Sequence, residues 1–501
     1  MATPREHVEE IRRIKFSIGA KESNPLTEDL HQAVKNLSAE LYAKDVHFLM
    51  ELIQNAEDNE YEEDVTPSLQ FVITSKDITG TGAASTLLIF NNEKGFSPKN
   101  IESICSVGRS TKKNNRKRGY IGEKGIGFKS VFLITSQPYI FSNGYQIRFN
   151  ESSECNVGYI VPEWVEENPI LSEIKHIYGS NSNLPTTTIL LPLKPDKVKP
   201  VKQQLSSIHP ELLLFLSKIK RLSVREDTED PRCNTVTAIS ISRETNFVTR
   251  KNIDSESYLV HLSAADERGG NLDRECSYHM WRQRFPVRPE NKVERRIEVE
   301  EYAITLAFPN GERLHRGSTS PGIYAFLPTE MGILNCVPSA FVNAFISLVK
   351  EKENAPVFLL PRMFGFLPVM SSPYALLNSV RESIQSKLMD ESIIPCESFT
   401  EQKFFRKPQE VGRLRPAFWN LLKMAREQGV CLDNISTHGK YILSSAFDEE
   451  KYDNFLNFLK VEYVNDEWYA KCVRSSNLVL GGSEDLYLEL LLFAAENWRS
   501  Y

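Results

Sequence analysis

Several kinds of chemistry are missing from this sequence. Its eight cysteines, spread from Cys105 to Cys472, include no pair at CxxC spacing, so zinc ribbons and dithiol redox motifs lack their residues. Cysteines this sparse in 501 residues do not build a disulfide scaffold, and an intracellular, reducing compartment is the natural setting. The nine histidines form no HxxxH or HExxH pair, which removes metalloprotease-type chemistry. The opening MATPREHVEEIRRI is charged throughout and has no apolar h-region, so no secretory signal is expected. No apolar run approaches ~18 residues, so a soluble, globular chain with no spanning helix and no membrane partner is expected. Positive charge is not in excess: Lys+Arg 60 against Asp+Glu 66 leaves −6, which counts against a nucleic-acid-coating role.

What is present is an ordinary globular composition, 41% hydrophobic and 25% charged, without repeats or low-complexity tracts. At roughly 100–200 residues per domain the length suggests about three domains, placed at 1–230, 231–354 and 355–501. In the first, Thr27 caps a helix carrying Leu30, Val34, Leu37 and Leu41, and Asp45 caps a second helix reaching Asp58. Strands are expected at Leu69–Thr74, Thr86–Phe90 and Thr187–Leu193, and a helix at Phe128–Ile134. Ser97-Pro98 opens a short helix, and Tyr139–Phe149 forms a hairpin turning at Asn143-Gly144. A basic, proline-punctuated helical pair runs to about Ile219. The second domain shows strands at Thr235–Ser242, Ala303–Phe308 and Ile323–Leu327, with a helix at Ala340–Val349 after Pro338. The third reads as helix-rich.

Three short segments concentrate the chemistry. In ELIQNAED, residues Glu51, Asn55 and Asp58 share one stripe of a helix, opposite Leu49, Leu52, Ile53 and Ala56. NNEKGF, Asn91–Phe96, follows an apolar strand. GYIGEKGIGFKS places Gly119, Gly122, Gly125 and Gly127 just before a helix, where backbone N–H groups approach an anion closely. The last is no Walker A loop, because Phe128 separates Gly127 from Lys129, and no Rossmann fingerprint, because the third glycine would fall at Ser130. Each segment alone also reads as an amphipathic surface helix or a structural turn.

In this order and spacing the three segments resemble the ATP site of the GHKL superfamily, which includes gyrase, heat-shock chaperones, histidine kinases and MutL. ELYAKDVHFLMELIQNAEDNEY and IGEKGIGFKSVF look most like the sacsin/NO VEIN branch, in particular plant NO VEIN-like proteins. The fold the resemblance implies is α+β: a mixed β-sheet with helices on one face, a smaller α/β transducer-like domain, then a helix-rich region. It implies ATP and Mg²⁺ as ligands. Glu51 would polarise the attacking water, Asn55 would hold Mg²⁺, and Asp58 would support the nucleotide edge of the helix. Gly122, Gly125, Gly127 and Phe128 would wrap the phosphates, and Lys112 would reach ribose or phosphate from a lid. Asn91 takes the adenine-reading position, Gly95 closes that box, and Thr187 backs it from the third box.

Two departures from the pattern stand out. Asn91 replaces an aspartate, and Glu93 replaces a glycine whose place would be crowded by any side chain, so altered nucleotide affinity is expected. After Met331 the chain runs directly into Gly332, where the resemblance leads one to expect a further strand and an arginine-bearing segment. A shortened N-terminal form is therefore expected, in which the second domain would lack a cation for the γ-phosphate. Arg381, in NSVRESI, lies in another context and does not replace it. The basic run Lys112–Arg118 reads as a solvated lid before a nuclear-import signal or a nucleic-acid contact.

Two functions lead on these grounds, ahead of a DNA-acting enzyme like MutL or gyrase, for which a basic domain is lacking. One is an ATP-binding module with slow hydrolysis, driving lid and domain closure in a chaperone-like or chromatin-associated protein. The other is a scaffold that keeps the fold without turnover. The resemblance favours the nucleus over the cytoplasm and leaves protein partners or clients unidentified.

Overall fold

A computed structural model describes residues 3–19, 29, 47–106, 127–151, 158–166, 169–179, 183–228, 234–266, 274–292, 299–314, 331–351, 360–398, 404–432, 435–475 and 477–497. The expected helix at Leu30–Leu41, the cap at Asp45, the basic run from Lys112, Gly119, Gly122, Gly125 and the strand Ile323–Leu327 lie outside the described residues.

The chain is mixed α/β. Helix α1 (Pro4–Glu10) starts at a Thr3 capping box closed by Glu6, and α2 (His47–Asp58) carries the first chemical segment. Strands β1 (Ser68–Thr74) and β2 (Thr86–Asn91) follow, then α3 (Pro98–Ile104), capped by Ser97 with Pro98 in the first turn. The hairpin β3 (Tyr139–Ser142) and β4 (Tyr145–Arg148) turns at Asn143 and Gly144, whose φ values of 49° and 84° are those of the tight turn that Asn-Gly favours. Next come β5 (Glu163–Trp164), α4 (Pro169–Tyr178), β6 (Thr187–Pro192), α5 (Val198–Ser206) and β7 (Arg221–Asp227). Strands β8 (Thr235–Arg250), β9 (Ser255–Asp266), β10 (Arg274–Pro286) and β11 (Glu301–Pro309) complete a sheet of order β11-β10-β9-β8-β7-β1-β2-β6-β3-β4-β5. It is mixed, because β1 runs parallel to β7 and antiparallel to β2.

Two compact units divide the chain. The first comprises 1–248, 257–280 and 309–328, and the second 249–256, 281–308 and 329–501. In the first, β2 and β6 are buried along their whole length, as their unbroken apolar runs require of strands covered on both faces. One face, carrying Val72, Leu88, Phe90, Phe141 and Leu190, packs against Ile170, Ile174 and Ile177 of α4. Side chains alternate along a strand, so Asn91, Thr187 and Ser142 point to the opposite face. The ladder sets those three side by side, Asn91 across from Thr187 and Thr187 across from Ser142.

The second unit is built on α6 (Met331–Glu351), α7 (Leu360–Phe364) and α8 (Ala375–Leu388), followed by short strand pairs and further helices. Phe345, Phe364 and Phe447 form one core, with edge-on ring contacts at 5.4 and 5.2 Å. Arg381 is engaged locally: it donates to the Val369 carbonyl and lies 5.0 Å from the centre of the Phe458 ring.

Three expectations need correction. Gly332–Glu351 is long and apolar enough to cross a membrane by length and composition alone. Asn335, Pro338, Ser339, Asn343 and Ser347 interrupt the run letter by letter while leaving the average high. Val342, Phe345 and Val349 from this helix lie in the core of the second unit. The same helix also begins seven residues before Pro338 and carries that proline inside it. The proline removes one ladder bond, and packing of the helix outweighs that loss. Finally, Gly127–Leu133 is a 3₁₀ helix rather than an α-helix. Ser130 Oγ donates back to the Gly127 carbonyl at 2.7 Å, and β-branched and aromatic neighbours favour an α-helix weakly.

Within the first unit, α2 is fixed by Glu57, a residue 3% exposed. Its Oε1 accepts from Ser217 N and Oγ (both 2.6 Å) and Lys218 N (2.8 Å), and its Oε2 accepts from Ile219 N (3.1 Å). Glu57→Ala leaves buried donors without an acceptor, and about 2–4 kcal/mol of stability should be lost in urea unfolding. A change below about 0.5 kcal/mol would show that the clamp is idle.

Candidate functional site

The described parts of all three segments converge on α2. Its apolar stripe is buried, with Leu49 at 6%, Leu52 at 4%, Ile53 at 0% and Ala56 at 4% exposure. That burial turns Glu51 and Asn55 toward the start of the 3₁₀ helix. A β-carbon placed on Gly127 would lie 2.3 Å from Glu51 Oε2 and 3.9 Å from Asn55 Nδ2. With a larger residue at this position the Glu51 carboxylate would have to move away. Phe128 follows, half-buried, its ring 6.4 Å from that of Phe149.

The far end of α2 meets the NNEKGF loop. Asp58 is buried at 3% exposure. Tyr61, just past the helix, donates its hydroxyl proton to the Ala56 carbonyl (2.8 Å) and accepts from Asn91 Nδ2 (2.9 Å). The Lys94 N–H donates to the Glu60 carbonyl at 2.8 Å. Burial, then the nearby Glu93 and Glu57 carboxylates, push the Tyr61 phenol well above its ordinary pKa, so it stays a neutral donor and acceptor. Asn91 Oδ1 accepts from Glu93 N at 3.0 Å, so both ends of that amide are held within the protein.

Glu93 itself turns inward, 5% exposed, and its Oε1 accepts from Thr187 Oγ1 at 2.7 Å. Thr187 Oγ1 lies 2.6 Å from Ser142 Oγ, which accepts from Phe96 N at 2.9 Å. Gly95 has φ +92°, and a β-carbon there would meet Thr186 Cγ2 at 2.7 Å and Asn143 Cβ at 2.8 Å. The position requires glycine twice over, for its conformation and for its space.

Sequence reasoning passed over four of these residues. Tyr61 and Ser142 carry no motif signal, because their partners lie far away in the chain. Glu57 shares a helix with the motif residues but was not singled out. Lys129 was noted only for where it falls among the glycines. It is 4% exposed, donates to the carbonyls of Ile104 and Tyr159, and stands 5.1 Å from the centre of the Phe149 ring. Burial pushes its amine down to about 7. Of the residues singled out from the sequence, the structure gathers Glu51 and Asn55 with Gly127, and Asn91 with Gly95 and Thr187. Lys112, Gly122 and Gly125 lie outside the described residues.

Comparison with known proteins identifies the class first. A family model for the Sacsin domain matches residues 27–156, the stretch that holds all three segments. The chain is also 40% identical over 210 residues to Protein NO VEIN of Arabidopsis thaliana, covering 40% of this chain and 7% of that protein. It is 32% identical over 174 residues to Sacsin of Homo sapiens, covering 30% of this chain and 4% of that one. Over this part the chain is similar to sacsin and NO VEIN, and the matched part spans less than a tenth of either relative.

Gly95→Ala should cost about 1–3 kcal/mol in denaturant unfolding, because the new side chain must be strained or must push Thr186 and Asn143 aside. An unchanged midpoint would contradict the packing at the hairpin tip. Lys129 gives a pH test. Its amine titrates near 7 when folded, against 10.5 as a free side chain. Below about pH 7 both states bind the proton and the burial cost is fully present; above it only the unfolded chain does, so stability rises with pH up to the ordinary lysine range. The stability of wild type relative to Lys129→Met should therefore increase from about pH 7 to about pH 9. A flat difference would contradict it.

Proposed function

We propose that the first unit is a GHKL-type module that binds Mg-ATP and turns it over slowly. The observation that carries this reading is the double engagement of α2. At one end it sets a carboxylate and an amide against glycine backbone; at the other it is tied to the loop at the end of β2. The donor set suits the ligand: an amide oxygen and a carboxylate are hard ligands for a small divalent cation, and a glycine backbone admits a phosphate. Bound Mg²⁺ would neutralise phosphate charge.

In this reading Asn55 holds the cation and Glu51 takes the proton of the attacking water. The resemblance would add backbone amides at Gly122, Gly125, Gly127 and Phe128, and Lys112, as phosphate contacts. Asn91 reads the base, supported by Asp58 and Thr187, and Gly95 lets its loop close. Nucleotide-driven closure, unidentified protein partners or clients and a nuclear location follow from the resemblance. A non-hydrolysing scaffold is the second reading, favoured by the capture of both ends of the Asn91 amide inside the protein.

Calorimetric titration of Mg-ATP into wild type and Asn55→Ala tests the site. Wild type should bind and the variant should bind about tenfold or more weakly. Equal heats, or none, would overturn the reading. A loss of ATP hydrolysis in Glu51→Ala supports turnover; equal background rates select the scaffold.

A further inference from the structure

The hydrogen-bond chain at the ends of β2, β6 and β3 has a fixed direction. At one end a backbone donor, Phe96 N–H, points at Ser142 Oγ. At the other a carboxylate, Glu93 Oε1, accepts the Thr187 proton. A hydroxyl has one proton, and Thr187 spends its own on Glu93. Ser142 must therefore donate to Thr187 across their 2.6 Å contact. Both hydroxyls thus present only lone pairs to anything beside them.

The neighbouring amide is fixed in the same way. Tyr61 spends its proton on the Ala56 carbonyl, so the group facing it from Asn91 must be the N–H₂. Asn91 Oδ1 faces the Glu93 N–H and has a second lone pair, and the ladder puts the Asn91 side chain on the same side of the sheet as Thr187. The edge formed by Asn91, Thr187 and Ser142 is acceptor-rich, and the carboxylate of Glu93 makes the hydroxyl part of it so.

We propose that Glu93 is a specificity-determining residue, which holds Thr187 and Ser142 as acceptors so that the site takes a 6-aminopurine nucleotide and turns away a 6-oxopurine one. The proposal rests on the reading of Asn91 as the base-facing residue and adds what sets its preference. An exocyclic amino group donates to this edge. A carbonyl in its place meets lone pairs, because the Thr187 proton is committed to Glu93 and the Ser142 proton to Thr187. The side chain that stands where the resemblance expects a glycine is thus a working part of the site.

The test compares Mg-ATP with Mg-ITP, which differ in the six-position amino or oxo group, by calorimetry on the full chain. Wild type should prefer Mg-ATP by about tenfold or more. Glu93→Gln keeps an acceptor for Thr187 and should keep the preference. Glu93→Met releases the Thr187 proton and should bring the two affinities to within about threefold, through weaker Mg-ATP and stronger Mg-ITP binding. Thr187→Val removes the hydroxyl and should lose the preference too, which keeps the question decidable if Glu93→Met does not fold. Equal affinities in wild type, or a preference untouched by Glu93→Met or Thr187→Val, would overturn the role of Glu93 and leave nucleotide binding standing. No heat with either nucleotide in wild type would overturn both.

Discussion

One buried carboxylate helps set the rotation of the helix on which the chemistry proposed for the first unit depends. Glu57 accepts from three successive backbone N–H groups and one hydroxyl in the segment leading into β7. A turn of α2 by one residue, about 100°, would break all four bonds and bury charge without partners. With Glu57 held, the stripe of Leu49, Leu52, Ile53 and Ala56 faces the interior, and Glu51 and Asn55 face Gly127. The polar face of α2 is thus positioned by a residue that takes no part in the chemistry proposed for it.

Sheet register does the corresponding work at the other end. Because Asn91, Thr187 and Ser142 are aligned across three adjacent strands, their side chains emerge at one level on one face. The Asn143-Gly144 turn sets the register of the β3–β4 pair, and Gly95 lets the loop after β2 fold onto that hairpin. Tyr61 joins this edge to the end of α2. Helix and sheet are therefore linked by hydrogen bonds as well as by apolar packing, and the loop Asn92–Phe96 is held from both sides.

Much of this was legible locally. Ser97-Pro98 and Asn143-Gly144 are short-range signals whose geometry is set within four residues, and the strands β1, β2 and β6 announce themselves as apolar runs. The polar stripe of α2 follows from helical periodicity alone. The rest depends on contacts between residues far apart in sequence. Glu57 meets its partners about 160 residues away and Glu93 meets Thr187 94 residues away, so no window of sequence shows either pairing. The same holds for α6, where packing carries a helix through Pro338, and for Gly127–Leu133, where a hydroxyl bond and a buried lysine accompany the tighter winding.

In the proposed function α2, the end of β2 and the 3₁₀ helix act as one nucleotide-responsive site. Amide hydrogen exchange with Mg-ATP against Mg²⁺ alone tests it most directly, because it reads all three elements in one experiment. Exchange should slow together in His47–Asp58, Asn91–Phe96 and Gly127–Leu133. Slowing confined to one of them, or none at all, would contradict it.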